Sequence, residues 1–260
     1  MRKIGINMHA ISGLTNEEYL REIASLGFST IFSGIRAPEV HEEIASLGAK
    51  YGIAYETLHA PFSHINDIWL DTVDGETMLD ELITSVDRCV IAGAPIDVVH
   101  LSSGNNPPPI TDNGRARFAR LVEYAAGKNV KIAFENQRKL ANIAWAFETF
   151  SDDVAGFCWD CGHEFCFTPG RHYMPLFGSR LICTHIHDNT TEYDSDDHWL
   201  PFDGSCDFGY VADTFRSSGY TGSLMLEVGN KARYGTTPPD VFLKNAADAI
   251  KKLRFMIDGE

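Results

Sequence analysis

The stretch IDVVHLSSGNNPPPITDNGRARFARLVEYAAGKNVKIAFE, residues 96–135, contains one complete strand–helix–strand unit. Largely apolar runs at 96–101 and 130–135 predict two buried strands rather than strands with one solvated face. Between them, apolar residues recur with the helical period over residues 112–127. A helix that connects two buried strands is typical of a parallel sheet covered by helices.

The same alternation of strand and helix repeats eight times. We predict strands at 3–8, 29–33, 53–58, 96–101, 130–135, 155–160, 181–186 and 223–228. We predict helices at 16–26, 38–51, 75–92, 112–127, 139–150, 173–177, 210–217 and 240–256. Since no polar linker divides these units, the sequence predicts one α/β domain over residues 1–260, a (β/α)8 TIM barrel. Its longest loops, at 60–74, 102–111 and 188–207, follow strand ends, where such barrels keep their chemistry.

The charge balance argues against a polyanionic partner. The chain has 22 Lys and Arg against 36 Asp and Glu, a net charge of −14 with His neutral. Such a surface repels nucleic acid at long range. Arg36, Arg138 and Arg171 are scattered along the sequence, so we expect nucleic acid to be an unlikely partner.

Targeting and redox features are few. No signal-peptide region and no apolar run of membrane-spanning length is present, so we expect a cytoplasmic protein with no membrane partner. The six cysteines do not follow a disulfide spacing, and we interpret the Cys158-x-x-Cys161 pair as buried thiols. A homo-oligomer is compatible with the sequence.

The strand ends carry an unusual set of polar side chains. Six of them, at or near the ends of predicted strands, are His59, His100, Glu135, Asp160, His185 and Glu227. A buried carboxylate is unfavourable unless something compensates its charge. Because all these strand ends meet at one mouth of a barrel, shared metal cations are the simplest compensator. Oxygen and imidazole ligands favour a divalent metal, zinc or manganese above all.

Two local spacings extend this set. In Asp160-x-x-His163, the histidine follows the strand end by one turn, so both side chains can reach one side of the mouth. Asp196-x-His198 lies in the polar loop after the seventh strand. That loop is either a further part of the site or a solvated acidic segment.

The ordered motifs resemble the xylose-isomerase-like TIM barrel superfamily, which contains the sugar phosphate isomerases and epimerases and the family 2 AP endonucleases. The resemblance runs from His59 to Glu227. It rests on His59 with Pro61 and Asn66, His100, Glu135-Asn136, Asp160-Cys161-Gly162-His163, His185-Ile186-His187-Asp188-Asn189, Asp196-Asp197-His198 with Gly204, and Glu227.

The resemblance implies roles for these residues. Glu135 would bridge two metals and share them with Asp160, His185 and Glu227. His59 and His100 would complete an endonuclease-type first site, and Asp196 and His198 would serve a third, so one to three ions are implied. His163 would contact either the substrate or a metal. Candidate substrate-binding residues are His9, His59, Trp69, His163 and His187.

The resemblance leaves three functions open. The first is a sugar, sugar phosphate or polyol isomerase or epimerase, in which a metal holds an enediolate and the catalytic carboxylates Glu135 and Glu227 transfer its proton. The second is an AP endonuclease-type zinc phosphodiesterase acting on abasic DNA, and the third is a catalytically silent barrel that binds a small ligand. The ketose 3-epimerases carry an arginine six residues after the strand-seven histidine, where this chain has Thr191. The acidic charge favours the first function, with a small carbohydrate-like substrate.

Overall fold

A computed structural model describes residues 1–259 of the chain. The strands are β1 (Ile4–Asn7), β2 (Thr30–Gly34), β3 (Ala54–His59), β4 (Ile96–His100), β5 (Lys131–Glu135), β6 (Ala155–Asp160), β7 (Leu181–His185) and β8 (Leu224–Leu226). They form one parallel sheet in the order β7-β6-β5-β4-β3-β2-β1-β8.

The sheet closes between its two outer strands. Ile186 donates from its N–H to the Met225 carbonyl oxygen at 2.9 Å, and the Glu227 N–H donates to the Ile186 carbonyl oxygen at 3.1 Å. This parallel bridge next to β7 and β8 turns eight strands into a barrel. The predicted single-domain (β/α)8 fold is confirmed.

Helices alternate with the strands around the barrel. They are α1 (Asn16–Ser25), α2 (Pro38–Tyr51), α3 (Val73–Ala92), α4 (Asp112–Gly127), α5 (Leu140–Thr149), α6 (Cys161–Phe167), α7 (Met174–Phe177), α8 (Phe208–Ser218), α9 (Lys231–Tyr234) and α10 (Pro239–Asp258). Two 3-10 helices span Ile65–Trp69 and Gly178–Arg180. The eight predicted helices are all present, whereas α6, α9 and the 3-10 turns were not predicted.

Glycine caps the carboxyl ends of several helices. Gly52, Gly93 and Gly219 cap α2, α3 and α8 in the left-handed conformation that glycine adopts most readily. Gly127 differs because it is the last residue of α4, and Asn129 takes the left-handed conformation instead (φ 60°).

The core has an outer and an inner part. The outer part packs the helices on the sheet, while Val98, Ala133, Cys158 and Cys183 form a separate buried cluster within the barrel. All six cysteines are buried and free, and the prediction that Cys158 and Cys161 are buried thiols is confirmed. Among residues 1–259, none of the helices combines the length and the apolar character that crossing a membrane requires.

Candidate metal centre and active site

The register of the strands puts the predicted ligands side by side at the mouth of the barrel. His100 pairs with Glu135 across β4 and β5, and Asp160 pairs with His185 across β6 and β7. Glu227 directly follows β8. All five side chains therefore meet at the carboxyl ends of the strands.

Glu135 lies at the centre of this arrangement and is fully buried. Its Oε2 is 2.5 Å from Nε2 of His100 and 3.3 Å from Nε2 of His59. Its Oε1 is 2.8 Å from Nδ1 of His185. Because each oxygen faces a different group of imidazoles, this carboxylate is placed to be shared between two cations.

The first candidate metal group consists of His59, His100 and Glu135, whose ligand atoms lie within 4.8 Å of one another. Nδ1 of His59 donates to the Ala60 carbonyl oxygen at 2.8 Å. That bond fixes the ring and directs Nε2 into the site, as the second partner of a metal-bound histidine does. Phe62 stacks on His100 with ring centroids 4.5 Å apart.

The second group consists of Glu135, Asp160, His185 and Glu227, again with ligand atoms within 4.8 Å of one another. Nδ1 of His185 is 3.0 Å from Oε2 of Glu227, so this imidazole lies between two carboxylates. Phe32 of β2 stacks on its ring at 4.5 Å and fixes the ring plane.

The third group consists of His163, His187, Asp196 and His198. Nδ1 of His163 donates to the Asn136 carbonyl oxygen at 3.1 Å, which turns Nε2 toward Oδ2 of Asp196 at 3.4 Å. Nδ1 of His198 donates in the same way to the Glu227 carbonyl oxygen at 3.0 Å. The loop after β7 is therefore part of the site and not a freely solvated segment.

Two glycines in the predicted motifs make room for this third group. A Cβ on Gly162 would come within 2.1 Å of the His187 ring. A Cβ on Gly204 would come within 2.4 Å of the Asn189 carbonyl oxygen and 2.5 Å of Oδ1 of Asp188. Asp188 accepts from the backbone N–H groups of the loop, so larger side chains here would displace the segment that carries Asp196 and His198.

Glu135 and Glu227 stay ionised at neutral pH. Burial by itself raises the pKa of Glu135, but the charges of His185 and His100 outweigh it and hold the pKa well below its usual range. Burial also raises the pKa of Glu227, but the charge of His185 outweighs this effect and lowers that pKa below its usual range. The site therefore concentrates negative charge that only cations or protonated imidazoles can balance.

In the absence of metal, the imidazoles supply that positive charge. Burial by itself lowers the pKa of His163, but Asp160 and Asp196 outweigh it and raise the pKa to about 10. His198 is raised to about 10 against the same effect of burial, chiefly by its hydrogen bond to Asp196. A metal at this group would have to displace protons from both rings.

Several buried atoms at the site have no hydrogen-bond partner within the described part of the chain. They are Nδ1 of His100, Oδ2 of Asp160, Nε2 of His185 and Nε2 of His187. Buried polar atoms without partners are rare in folded proteins unless an ion, water or function accounts for them. The oxygen and imidazole donors, and their orientation by backbone carbonyls, fit divalent cations of the zinc or manganese type.

The mouth encloses a cavity of about 200 Å³ lined by members of all three groups. Its lining also includes residues that the sequence did not single out, namely Ser103, Gln137 and Phe167. Nε2 of Gln137 lies 3.2 Å from Nε2 of His100 and 3.1 Å from Nδ1 of His163. Gln137 could have been identified from the sequence, because it lies two residues after Glu135 and just beyond the end of its strand. A second cavity of about 480 Å³ adjoins the first and shares His59, Phe62 and Glu227 with it.

Three predicted substrate contacts need correction or refinement. Trp69 is wrong as a substrate residue because it is 1% exposed, donates to the Leu101 carbonyl oxygen and packs in the core. His187 is fully buried within the third candidate metal group instead of facing the cavity. Nε2 of His9 is 2.8 Å from Oδ1 of Asn16, and His9 lines neither of these two cavities. The residue at the end of β1 that lines the second cavity is Asn7. His59 and His163 do line the first cavity.

Comparisons with known proteins agree with this architecture. The chain matches the family model described as xylose isomerase-like TIM barrel over residues 20–257. It is 31% identical over 156 residues to the uncharacterized protein y4fM of Sinorhizobium fredii, with 55% of this chain and 50% of that protein covered. The chain thus spans about half the length of this curated relative.

Solved structures share the whole barrel. A xylose isomerase domain protein from Planctomyces limnophilus superimposes with a TM-score of 0.75 at 16% identity, covering 100% of this chain and 99% of the other. A D-psicose 3-epimerase from Clostridium cellulolyticum H10, solved with D-tagatose, gives 0.79 at 13% identity, covering 98% and 99%. At these identities the likeness shows the fold alone. With the family match over residues 20–257, the chain belongs to the xylose isomerase-like TIM barrel family.

Proposed function

We propose that this protein is a divalent-metal-dependent isomerase or epimerase acting on a small ketose, polyol or related carbohydrate. The observation that carries the proposal is a pair of carboxylates on one small cavity. Glu135 and Glu227 both line it, and both lie within 3.0 Å of Nδ1 of His185. Carboxylates that reach one substrate from different strands are suited to proton removal and return.

The side chains around this pair would divide the work. One carboxylate takes the proton from the carbon next to the substrate carbonyl, and the other returns a proton at the far face of that carbon. Because the pKa values of Glu135 and Glu227 are lowered, both are ionised in the free protein and either can act as the base, while the carboxylate that returns the proton must first take one up from water. Gln137 and His163 offer hydrogen bonds to substrate hydroxyls from the cavity wall.

Glu135, Asp160, His185 and Glu227 would hold the metal nearest to this chemistry. A bound divalent cation would polarise the substrate carbonyl and so acidify the neighbouring carbon–hydrogen bond. Phe32 and Phe62 border the adjoining cavity and provide apolar faces against which a sugar ring can pack. Cavities of about 200 and 480 Å³ suit a single sugar and not an extended polymer.

Solvent deuterium exchange tests this proposal. The metal-loaded protein is incubated in deuterated water with a panel of ketoses and inositol-like polyols, and incorporation is followed by NMR and mass spectrometry. We expect exchange at a carbon next to a carbonyl, and its loss in Glu227→Gln. Glu56→Gln is the matched control, since Glu56 is a partly buried carboxylate of β3 that belongs to none of the three metal groups and whose hydrogen-bonding neighbours are Ser223 and Thr30. No exchange with any compound, despite bound metal, would contradict the proposal.

A second candidate is hydrolysis of a phosphoester. It is favoured by one observation, the third group of His163, His187, Asp196 and His198, which proton transfer does not require. Three adjoining metal groups would be suited to activating water and to stabilising the charge of a phosphoryl group. Nicking of an abasic-site duplex, lost in Glu135→Gln and kept in Glu56→Gln, would establish this function in place of the first.

A further inference from the structure

A pocket of about 290 Å³ next to the active-site cavity brings three cationic side chains together. Arg138 and Lys139 follow β5, and Arg171 follows α6. Arg138 and Arg171 are distant in sequence, yet they line the same pocket. The chain has a net charge of −14, so this basic pocket is a locally positive region beside the mouth of a negatively charged protein.

The basic pocket is connected to the candidate active site through one aromatic ring. Phe167 and Arg138 line both cavities. The ring of Phe167 stacks on His163 with centroids 4.5 Å apart, and the Arg138 guanidinium lies over the ring at 3.5 Å from its centroid. A ligand that fills the active-site cavity can therefore extend to Arg138 without leaving the mouth.

Most of the positive charge in the basic pocket is not neutralised by the protein. Arg138 uses Nε and Nη2 to contact Asp194. Within residues 1–259, neither Lys139 nor Arg171 forms an ion pair, although carboxylates outnumber cations in this chain. Asn105, Thr168 and Tyr193 add polar groups to the wall. Clustered cations with polar neighbours form a site for a phosphate or carboxylate.

We propose that the basic pocket binds an anionic group at the end of the substrate remote from Glu135 and Glu227. The substrate would then be an anionic carbohydrate, carrying a phosphate or a carboxylate, and this inference rests on the proposed function. One small pocket holds one such group. An extended polyanion would need a track of cations, and the acidic surface repels it.

Matched ligands test the proposal on the metal-loaded protein. Calorimetric titration compares D-fructose 6-phosphate with D-fructose, and D-galacturonate with D-galactose. We expect at least one anionic sugar to bind about tenfold or more tightly than its neutral partner, as one or two charge-assisted hydrogen bonds provide. The pair that shows the preference identifies the anion as phosphate or carboxylate.

Variants locate the preference in the basic pocket. In the double variant Lys139→Gln/Arg171→Gln the preference should be lost, while Lys128→Gln/Lys131→Gln, with the same change in charge at the opposite end of β5, should keep it. A preference that persists in the first double variant overturns the proposal, because the metal groups alone would then hold the anion. Equal binding of anionic and neutral sugars overturns it as well. The proposal is also overturned if the protein binds abasic DNA through Lys139 and Arg171 and binds none of the four sugars.

Binding and turnover separate this inference from the proposed function. If no sugar exchanges deuterium but the anion preference depends on the basic pocket, the proposed function fails and the pocket stands. If neutral sugars exchange deuterium as efficiently as anionic ones, the proposed function stands and the pocket proposal fails.

Discussion

Two layers of the barrel interior differ sharply although they belong to the same strands. The middle layer consists of Val98, Ala133, Cys158 and Cys183, which pack as a buried cluster. The mouth layer lies two residues further along each strand and consists of His100, Glu135, Asp160 and His185. Residues two apart in a strand point to the same face. The inward-facing side chain of each of these strands therefore changes from apolar to ionisable between one layer and the next.

The contrast separates what stabilises the barrel from what the barrel does. The middle layer gains stability by removing apolar surface from water. The mouth layer places ionised carboxylates and imidazoles in the same buried interior, where they are favourable only when each charge has a partner. Residues that oppose burial in this way are typical of functional sites.

The largest expected effect comes from the centre of the mouth layer. Glu135→Gln removes the charge that faces both the first and the second metal groups. We expect activity to fall by about a thousandfold or more, as is common when a catalytic acid–base group is removed. Bound metal should fall as well. Kinetics and metal analysis check this, and an active, fully metal-loaded Glu135→Gln would refute the assigned role.

The middle layer should show the opposite behaviour. Val98→Ala leaves a cavity beside Ala133 and Cys158. We expect a loss of about 2 kcal/mol in the free energy of unfolding, from lost apolar burial and the remaining void. Metal content should not change. Urea unfolding and metal analysis check this, and lost metal with unchanged stability would erase the distinction between the layers.

The pH dependence of the metal-free protein gives a smaller effect. His163 and His198 have pKa values of about 10 in the folded protein, above the ordinary 6.5. The stability that their charged forms contribute is fully present below about pH 6.5 and is lost as the pH rises through about 10. We expect the urea midpoint to decrease over this range, and less steeply once metal replaces the protons. A midpoint that rises over the same range would contradict this assignment.

The smallest expected effect is at the rim. Phe62 is 47% exposed, stacks on His100 and borders both cavities. Phe62→Ala should raise KM a few-fold with kcat and metal content nearly unchanged, because it removes apolar contact with the substrate and no ligand. Steady-state kinetics on any substrate found by deuterium exchange checks this. A large fall in kcat would mean that the ring positions His100.

The sequence predicted the barrel and the mouth layer because both depend on local order. Apolar runs that end in His100, Glu135 or Asp160 locate strand ends, and parallel strands bring their ends together whatever the loops do. The eight strands are accordingly present within a few residues of their predicted bounds.

Features that depend on long-range packing were less predictable. The helix α6 begins directly at the end of β6, where Asp160 caps it by accepting from the His163 N–H, and its short buried run has no clear period. Trp69 lies within the predicted active-site loop at 60–74, yet Gly114 leaves space for its ring in the core. The basic pocket joins residues from separate loops, so only the folded chain shows it.

Metal analysis of the purified protein tests the central claim most directly. The three candidate metal groups predict one to three equivalents of a divalent cation, zinc or manganese, measured by inductively coupled plasma mass spectrometry after removal of loosely bound metal. Glu135→Gln should lose most of it, while Glu56→Gln retains it. A wild-type protein that binds no divalent cation, even after incubation with zinc and manganese, would contradict the account.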